Sequence, residues 1–121
     1  MGKERILLVD DEEFVVSAEQ QMLERYFDCK VTALTSGVEA LEVFRAKPHH
    51  FDLVITDMIM PKMTGEILAK ELIALRPDIP VILCTGYSKC IIKNKAEEMG
   101  GAFLIKPFDL YEMGKAIRKV L

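Results

Sequence analysis

Three aspartates, a threonine and a lysine each stand directly behind an apolar segment of strand length. Asp10 and Asp11 follow Ile6 to Val9, Asp57 follows Leu53 to Thr56, Thr85 follows Val81 to Cys84, and Lys106 follows Ala102 to Ile105. In an open parallel sheet ligands bind beyond the carboxyl ends of the strands, so these side chains share one rim if the strands are parallel. Three carboxylates brought together repel one another, which either raises a pKa or recruits a cation. Hard oxygen ligands select magnesium or a similar ion such as manganese, with Asp11 and Asp57 as direct ligands and Asp10 acting through water. That ion would offset the charge of an incoming phosphate. Lys106 would pair with one phosphoryl oxygen, and the Thr85 hydroxyl would donate to another. An aspartate so placed is a nucleophile toward phosphorus, and its product is an acyl phosphate.

The elements that must hold this constellation alternate five times between short apolar runs and longer segments of helical period, the pattern of parallel strands joined by crossover helices. The expected class is α/β. Behind the first strand, Phe14, Val15, Ala18, Met22, Leu23 and Tyr26 fall at helical spacing. Val31 to Leu34 is a second strand, and Thr35 or Ser36 caps a helix bearing Val38, Leu41, Val43 and Phe44 that must stop before Pro48. The third strand leads through a loop, Met58 to Thr64, into a helix from about Gly65 to Arg76. A further helix is expected from Lys89 to Met99 with Gly100-Gly101 as its stop, and Asp109 caps a last helix bearing Leu110, Met113, Ile117 and Val120.

A chain of 121 residues, half of them hydrophobic, is of the size of one domain with a continuous core. A net charge of −3 without a run of Lys or Arg argues against direct nucleic-acid binding. No apolar run approaches the roughly 20 residues of a membrane-spanning helix, and the amino terminus has no secretory pattern, so a soluble, cytoplasmic protein is expected. Cys29, Cys84 and Cys90 lack metal-ligand spacing and read as packing residues. Met58, Met60 and Met63 read as filling beneath a loop, and His49 and His50 as solvated turn residues.

The pieces VDDEE, DLVITDMIMPKMTG, LCTGYS and FLIKPF, in this order and spacing, resemble those of bacterial response-regulator receiver domains, and the resemblance runs from Lys3 to Leu121. It implies a single domain over residues 3–121 with a doubly wound, flavodoxin-like five-stranded parallel sheet of order 2-1-3-4-5. It implies phosphorylation of Asp57 by a histidine kinase or a histidine phosphotransfer domain. Magnesium would be held by Asp11, Asp57 and the backbone carbonyl of Ile59, with Asp10 in the outer shell, and the Lys106-Pro107 bond would be cis. Thr85 and Phe103 would form the switch pair, and Ile59 and Tyr87 would flank the phosphoryl group. The output surface would comprise the Lys89 to Met99 helix, the fifth strand and the last helix, including Ile91, Ile92, Leu110 and Tyr111. Phe103 lacks the hydroxyl of the tyrosine often found there, so packing alone would have to distinguish the two switch states. TDMIMPKMTGE and ILCTGYS resemble the receivers of hybrid sensor kinases somewhat more than stand-alone regulators.

Each site residue also has a plain structural role: Asp10 and Asp11 as helix caps, Asp57 as an Asx-turn residue, Thr85 as a turn hydroxyl, Lys106 as a surface lysine. Their joint placement behind four separate strands favours the functional reading. An aspartyl phosphatase of the haloacid dehalogenase kind wants an acid two residues after its nucleophile, where Ile59 stands and cannot move a proton. A flavodoxin-like nucleotide binder would place its phosphate against Asp10 to Glu13, four carboxylates that repel it. The reading is thus a phosphoacceptor switch and not a turnover enzyme on an external substrate. A receiver-shaped module that is never phosphorylated is disfavoured by intact Asp57 and Lys106.

Overall fold

Strand and helix alternate as β1 (Arg5–Val9), α1 (Glu13–Phe27), β2 (Lys30–Leu34), α2 (Gly37–Ala46), β3 (Leu53–Asp57), α3 (Gly65–Leu75), β4 (Val81–Thr85), β5 (Ala102–Ile105) and α4 (Leu110–Val120) in the computed structural model, which describes residues 3–86 and 101–121. The five strands form one parallel sheet of order β2-β1-β3-β4-β5, the doubly wound arrangement that the resemblance implied. The helix expected over Lys89 to Met99, together with Tyr87, Cys90, Ile91 and Ile92, lies outside the described residues.

The strands read as unbroken apolar runs because both faces of the sheet are covered. Leu7, Val9, Val54 and Leu83 point into one cluster with Ala40 and Phe44 of α2 and Leu68 and Leu72 of α3. Their strand neighbours Ile6, Leu8, Ile55, Ile82 and Leu104 point the other way, onto Val16 and Leu23 of α1 and Met113 and Ile117 of α4. Met58 and Met60 are buried in the first cluster and Met63 packs against it, so the methionines do fill space beneath the loop. Cys29 and Cys84 are buried free thiols.

Helix ends follow their local chemistry. Ser36 accepts a hydrogen bond from the Glu39 amide at the start of α2, and Thr64 accepts one from Ile67 at the start of α3. At α4 the caps are reciprocal: the Asp109 carboxylate accepts from the Glu112 amide at 2.8 Å while the Asp109 amide donates to the Glu112 carboxylate at 3.2 Å.

The buried face of α1 differs from the expected one. Phe14 is 93% exposed and Tyr26 and Ala18 also face outward, whereas Val16, Glu19 and Leu23 form the buried stripe. Apolar residues occupy so much of this helix's circumference that spacing alone does not fix its phase. Val38 and Leu110 are likewise more exposed than their spacing predicts, and the small residues Gly37 with Ala40 and Gly114 with Ala116 take buried positions on α2 and α4 instead. Helix α3 ends at Leu75, one residue before the expected limit, with Arg76 as its cap.

Candidate functional site

The parallel ladder continues one residue past several strand ends and carries the polar side chains to one rim. The Asp10 amide donates to the Leu34 carbonyl at 3.2 Å, the Met58 amide to Cys84 at 2.8 Å, and the Lys106 amide to Thr85 at 2.7 Å. Asp57 pairs in register with Cys84, and Thr85 with Ile105. Backbone hydrogen bonding thus aligns residues that are far apart in the chain. The carboxylates of Asp10, Asp11 and Asp57 each bring an oxygen within 4.8 Å of the others. The Lys106 ammonium contacts the Asp10 carboxylate directly and stands 3.4 Å from the Asp57 carboxylate. Asp10 is 1% exposed and also accepts a hydrogen bond from the Glu12 amide at 3.0 Å, which fixes its orientation.

The loop after Asp57 is held by its own backbone. The Met63 amide donates to the Pro61 carbonyl at 2.7 Å across Lys62, whose φ of 67° makes this a tight three-residue turn of the less common hand. The Gly65 amide then donates to the Met58 carbonyl at 2.9 Å. A Cβ at Gly65 would lie 2.1 Å from the Asp57 carbonyl oxygen, so only glycine lets α3 start this close to the phosphoacceptor candidate.

Burial is the chief reason the Asp57 carboxyl is pushed up to about 6; the neighbouring ammonium of Lys106 opposes this, while the charges of Asp10 and Asp11 add to it. Burial works against the Lys106 charge, yet its hydrogen bond to Asp10 and the charges of Asp57, Asp10 and Glu19 prevail and hold the ammonium well above the usual lysine range. The lysine therefore remains a fixed positive charge. Burial, more than any charge, also lifts the Cys84 thiol well above the thiol range, which suits a packing residue.

The other residues singled out from sequence fall as follows. Thr85 is buried at the carboxyl end of β4. Phe103 is half-buried against the α2–α3 cluster and pairs in register with Leu83, two residues before Thr85, so it lies on the same face of the sheet as Thr85. Ile59 is 56% exposed in the loop beyond Asp57, and Tyr87 lies outside the described residues. The Lys106-Pro107 bond is cis, as the resemblance implied. Glu19 had gone unnoticed in the sequence. It sits in the buried stripe of α1, and burial lifts its carboxyl to about 7, with the charges of Lys106, Asp10 and Asp57 also felt there. Its only sequence signal is a position three residues after Val16 and four before Leu23.

Three close carboxylates are a fitting donor set for a hard divalent cation, which would also relieve their mutual repulsion. The family model for the response regulator receiver domain matches residues 6–118. The chain belongs to the response-regulator receiver domain family. This receiver is 33% identical to sensor kinase CckA of Brucella abortus over 121 residues, which cover 99% of the chain and 13% of that kinase. The chain spans less than half the length of the curated relatives it matches. A receiver domain protein from Clostridium thermocellum superposes with a TM-score of 0.87 at 29% identity, covering 97% of this chain and 93% of the other. The CheX-CheY-BeF3-Mg2+ complex from Borrelia burgdorferi gives a TM-score of 0.86 at 25% identity, covering 97% of this chain and 88% of the other. The receiver is therefore a phosphoacceptor domain of two-component signalling with an acidic pocket of the kind that binds magnesium.

Proposed function

We propose that Asp57 takes a phosphoryl group from a phosphohistidine of a histidine kinase or phosphotransfer domain. The observation that carries this reading is the meeting of the Asp10, Asp11 and Asp57 carboxylates within 4.8 Å, with the Lys106 ammonium 3.4 Å from Asp57. An Asp57 carboxylate oxygen forms the new bond to phosphorus as the bond from phosphorus to the histidine nitrogen breaks, and the imidazole leaves with the electron pair. Lys106 then pairs with the phosphoryl oxygens, and the Thr85 hydroxyl donates to one of them. Asp11, Asp57 and the Ile59 carbonyl would hold magnesium or manganese, with Asp10 in the outer shell, and the cation would supply charge that offsets the phosphoryl oxygens. In support, the Borrelia burgdorferi neighbour was solved as a complex with BeF3 and Mg2+.

Phosphorylation draws Thr85 toward the rim, and Phe103, on the same face of β5, turns inward behind it. The surface made by β5 and α4 changes shape and controls a partner or an attached domain. Residues 3–121 act as one module, and the likeness to CckA favours a place within a hybrid kinase. Its setting is the cytoplasm; among the described residues no helix is long and apolar enough to cross a membrane.

Intact-mass measurement after treatment with acetyl phosphate and magnesium tests the assignment. One phosphate is gained by the wild type and none by Asp57→Asn; an equal gain in the variant would place the acceptor elsewhere. Ile59 brings no polar group to position water over the acyl phosphate, so the phosphoryl group is long-lived. Ile59→Asn, alone or with Tyr87→Glu, speeds its hydrolysis, and an unchanged decay rate would remove this point.

A further inference from the structure

Glu19 takes no part in the chemistry just described, yet it is 9% exposed and feels the charges of Lys106, Asp10 and Asp57. Among the described residues no hydrogen bond or ion pair is formed by its carboxyl. It faces instead an open pocket of about 440 Å³ between α1 and the connection from β5 to α4. Val15, Ala18, Met22, Pro107 and Phe108 give this pocket apolar walls, and Glu19 and Lys106 are its charged members. The lysine stem therefore borders two compartments: the acidic rim, where its ammonium meets Asp10 and Asp57, and the pocket, where Glu19 waits.

Resting on the reading of Asp10, Asp11 and Asp57 as a divalent-cation site, we propose that Glu19 is a positioning residue that draws the Lys106 ammonium toward the pocket and thereby strengthens cation binding by the three aspartates. Without a cation, Lys106 serves as counter-charge for Asp10 and Asp57. An arriving divalent ion competes for the same oxygens, and two cations on one carboxylate repel. Lys106 must then yield ground. An ammonium turning from the rim along apolar walls gives up the carboxylate partners it had there, and the Glu19 carboxylate supplies new acceptor oxygens and opposite charge. The apolar walls suit the methylene stem, as they do for lysines whose heads alone seek polar partners. From there the ammonium remains close enough to return to a phosphoryl oxygen once Asp57 is modified.

Calorimetric titration of MgCl2 into the metal-free chain, at a pH above the Glu19 value of about 7, tests this with wild type, Glu19→Gln, Lys106→Met and the double variant. Glu19→Gln weakens magnesium binding about fivefold, and the same substitution changes it by less than about twofold when Lys106 is already Met. Wild-type affinity in Glu19→Gln, or an equal loss with Lys106 absent, overturns the proposal. A wild type that binds no magnesium overturns the cation-site reading along with it, which separates the two failures. A readout free of variants is the nuclear Overhauser contact between the Lys106 ε-methylene and the Glu19 γ-methylene. Magnesium strengthens it, and a contact that weakens or stays constant on loading overturns the proposal.

Discussion

Replacing Gly65 with alanine adds one methyl group at the point where α3 begins against the back of Asp57. The new Cβ would meet the Asp57 carbonyl oxygen at 2.1 Å, the Asp57 carbonyl carbon at 2.9 Å and the Met58 Cα at 3.0 Å, all of them backbone atoms with no side-chain freedom to yield. Relief requires α3 and β3 to separate by roughly 1 Å, a distance set by ordinary van der Waals contact. That movement strains the Gly65 amide to Met58 carbonyl bond, now 2.9 Å, and with it the Met58 amide bond to Cys84, now 2.8 Å. Overpacking costs about 1–3 kcal/mol and a weakened hydrogen bond about 1 kcal/mol, against a gain of about 0.5–1 kcal/mol from the stiffer unfolded chain. The net loss is about 1–3.5 kcal/mol. With an m-value of about 1.5 kcal/mol/M, the urea midpoint falls by roughly 0.7–2.3 M. Gly37→Ala is the control, because its Cβ would meet the Met63 Cβ at 3.3 Å and the Met60 Cε and Met63 carbonyl oxygen at 3.4 Å, contacts that a shift of a few tenths of an ångström relieves. Its stability changes by less than about 1 kcal/mol. A Gly65→Ala midpoint as high as that of the wild type, with the same m-value, would refute the argument that this glycine is set by close approach to Asp57.

Three further outcomes follow from named contacts. Glu19 holds its proton up to about 7 in the folded chain against 4.5 ordinarily, so between those values the folded state binds more protons than the unfolded and stability falls as pH rises. In metal-free buffer this loss amounts to about 3 kcal/mol by pH 8; Glu19→Gln removes it, so the variant's stability relative to wild type must rise between pH 5 and 8 in urea titrations. Asp109→Ala removes one half of the capping box of α4 and costs about 1 kcal/mol, visible as a lower thermal midpoint; no change would mean that the cap is redundant. Phe14, 93% exposed at the start of α1 and close in the chain to Asp11, is offered as a contact for the phosphohistidine donor. Phe14→Ala slows phosphorylation by the donor protein but not by acetyl phosphate, and equal slowing of both would assign Phe14 to the pocket itself.

The residues behind each strand were legible in the sequence because a parallel sheet with covered faces needs continuous apolar runs, and the next residue in line must then lie on the rim; the order of the strands came only from the resemblance to receiver domains. Asp10, Asp57, Thr85 and Lys106 are placed by that rule alone, and the ladder bonds from Asp10, Met58 and Lys106 express it. Caps at Ser36 and Asp109 were equally local, since a side chain and an amide three residues on suffice. The phase of α1 was not legible. Phe14, Val15, Val16, Met22, Leu23, Tyr26 and Phe27 surround much of the helix, and only contact with β1, β2 and α4 selects Val16 and Leu23 for burial. That choice places Glu19 beside the acidic rim, which no local pattern announces. The partner of Asp10 was hidden for the same reason: its ammonium comes from Lys106, 96 residues away, and tertiary packing alone decides that it meets Asp10 before Asp57. Local sequence sets which groups reach the rim, because the chain cannot avoid presenting them there. The depth at which each is buried, and hence its charge and its partner, depends on elements that meet only when the sheet is covered.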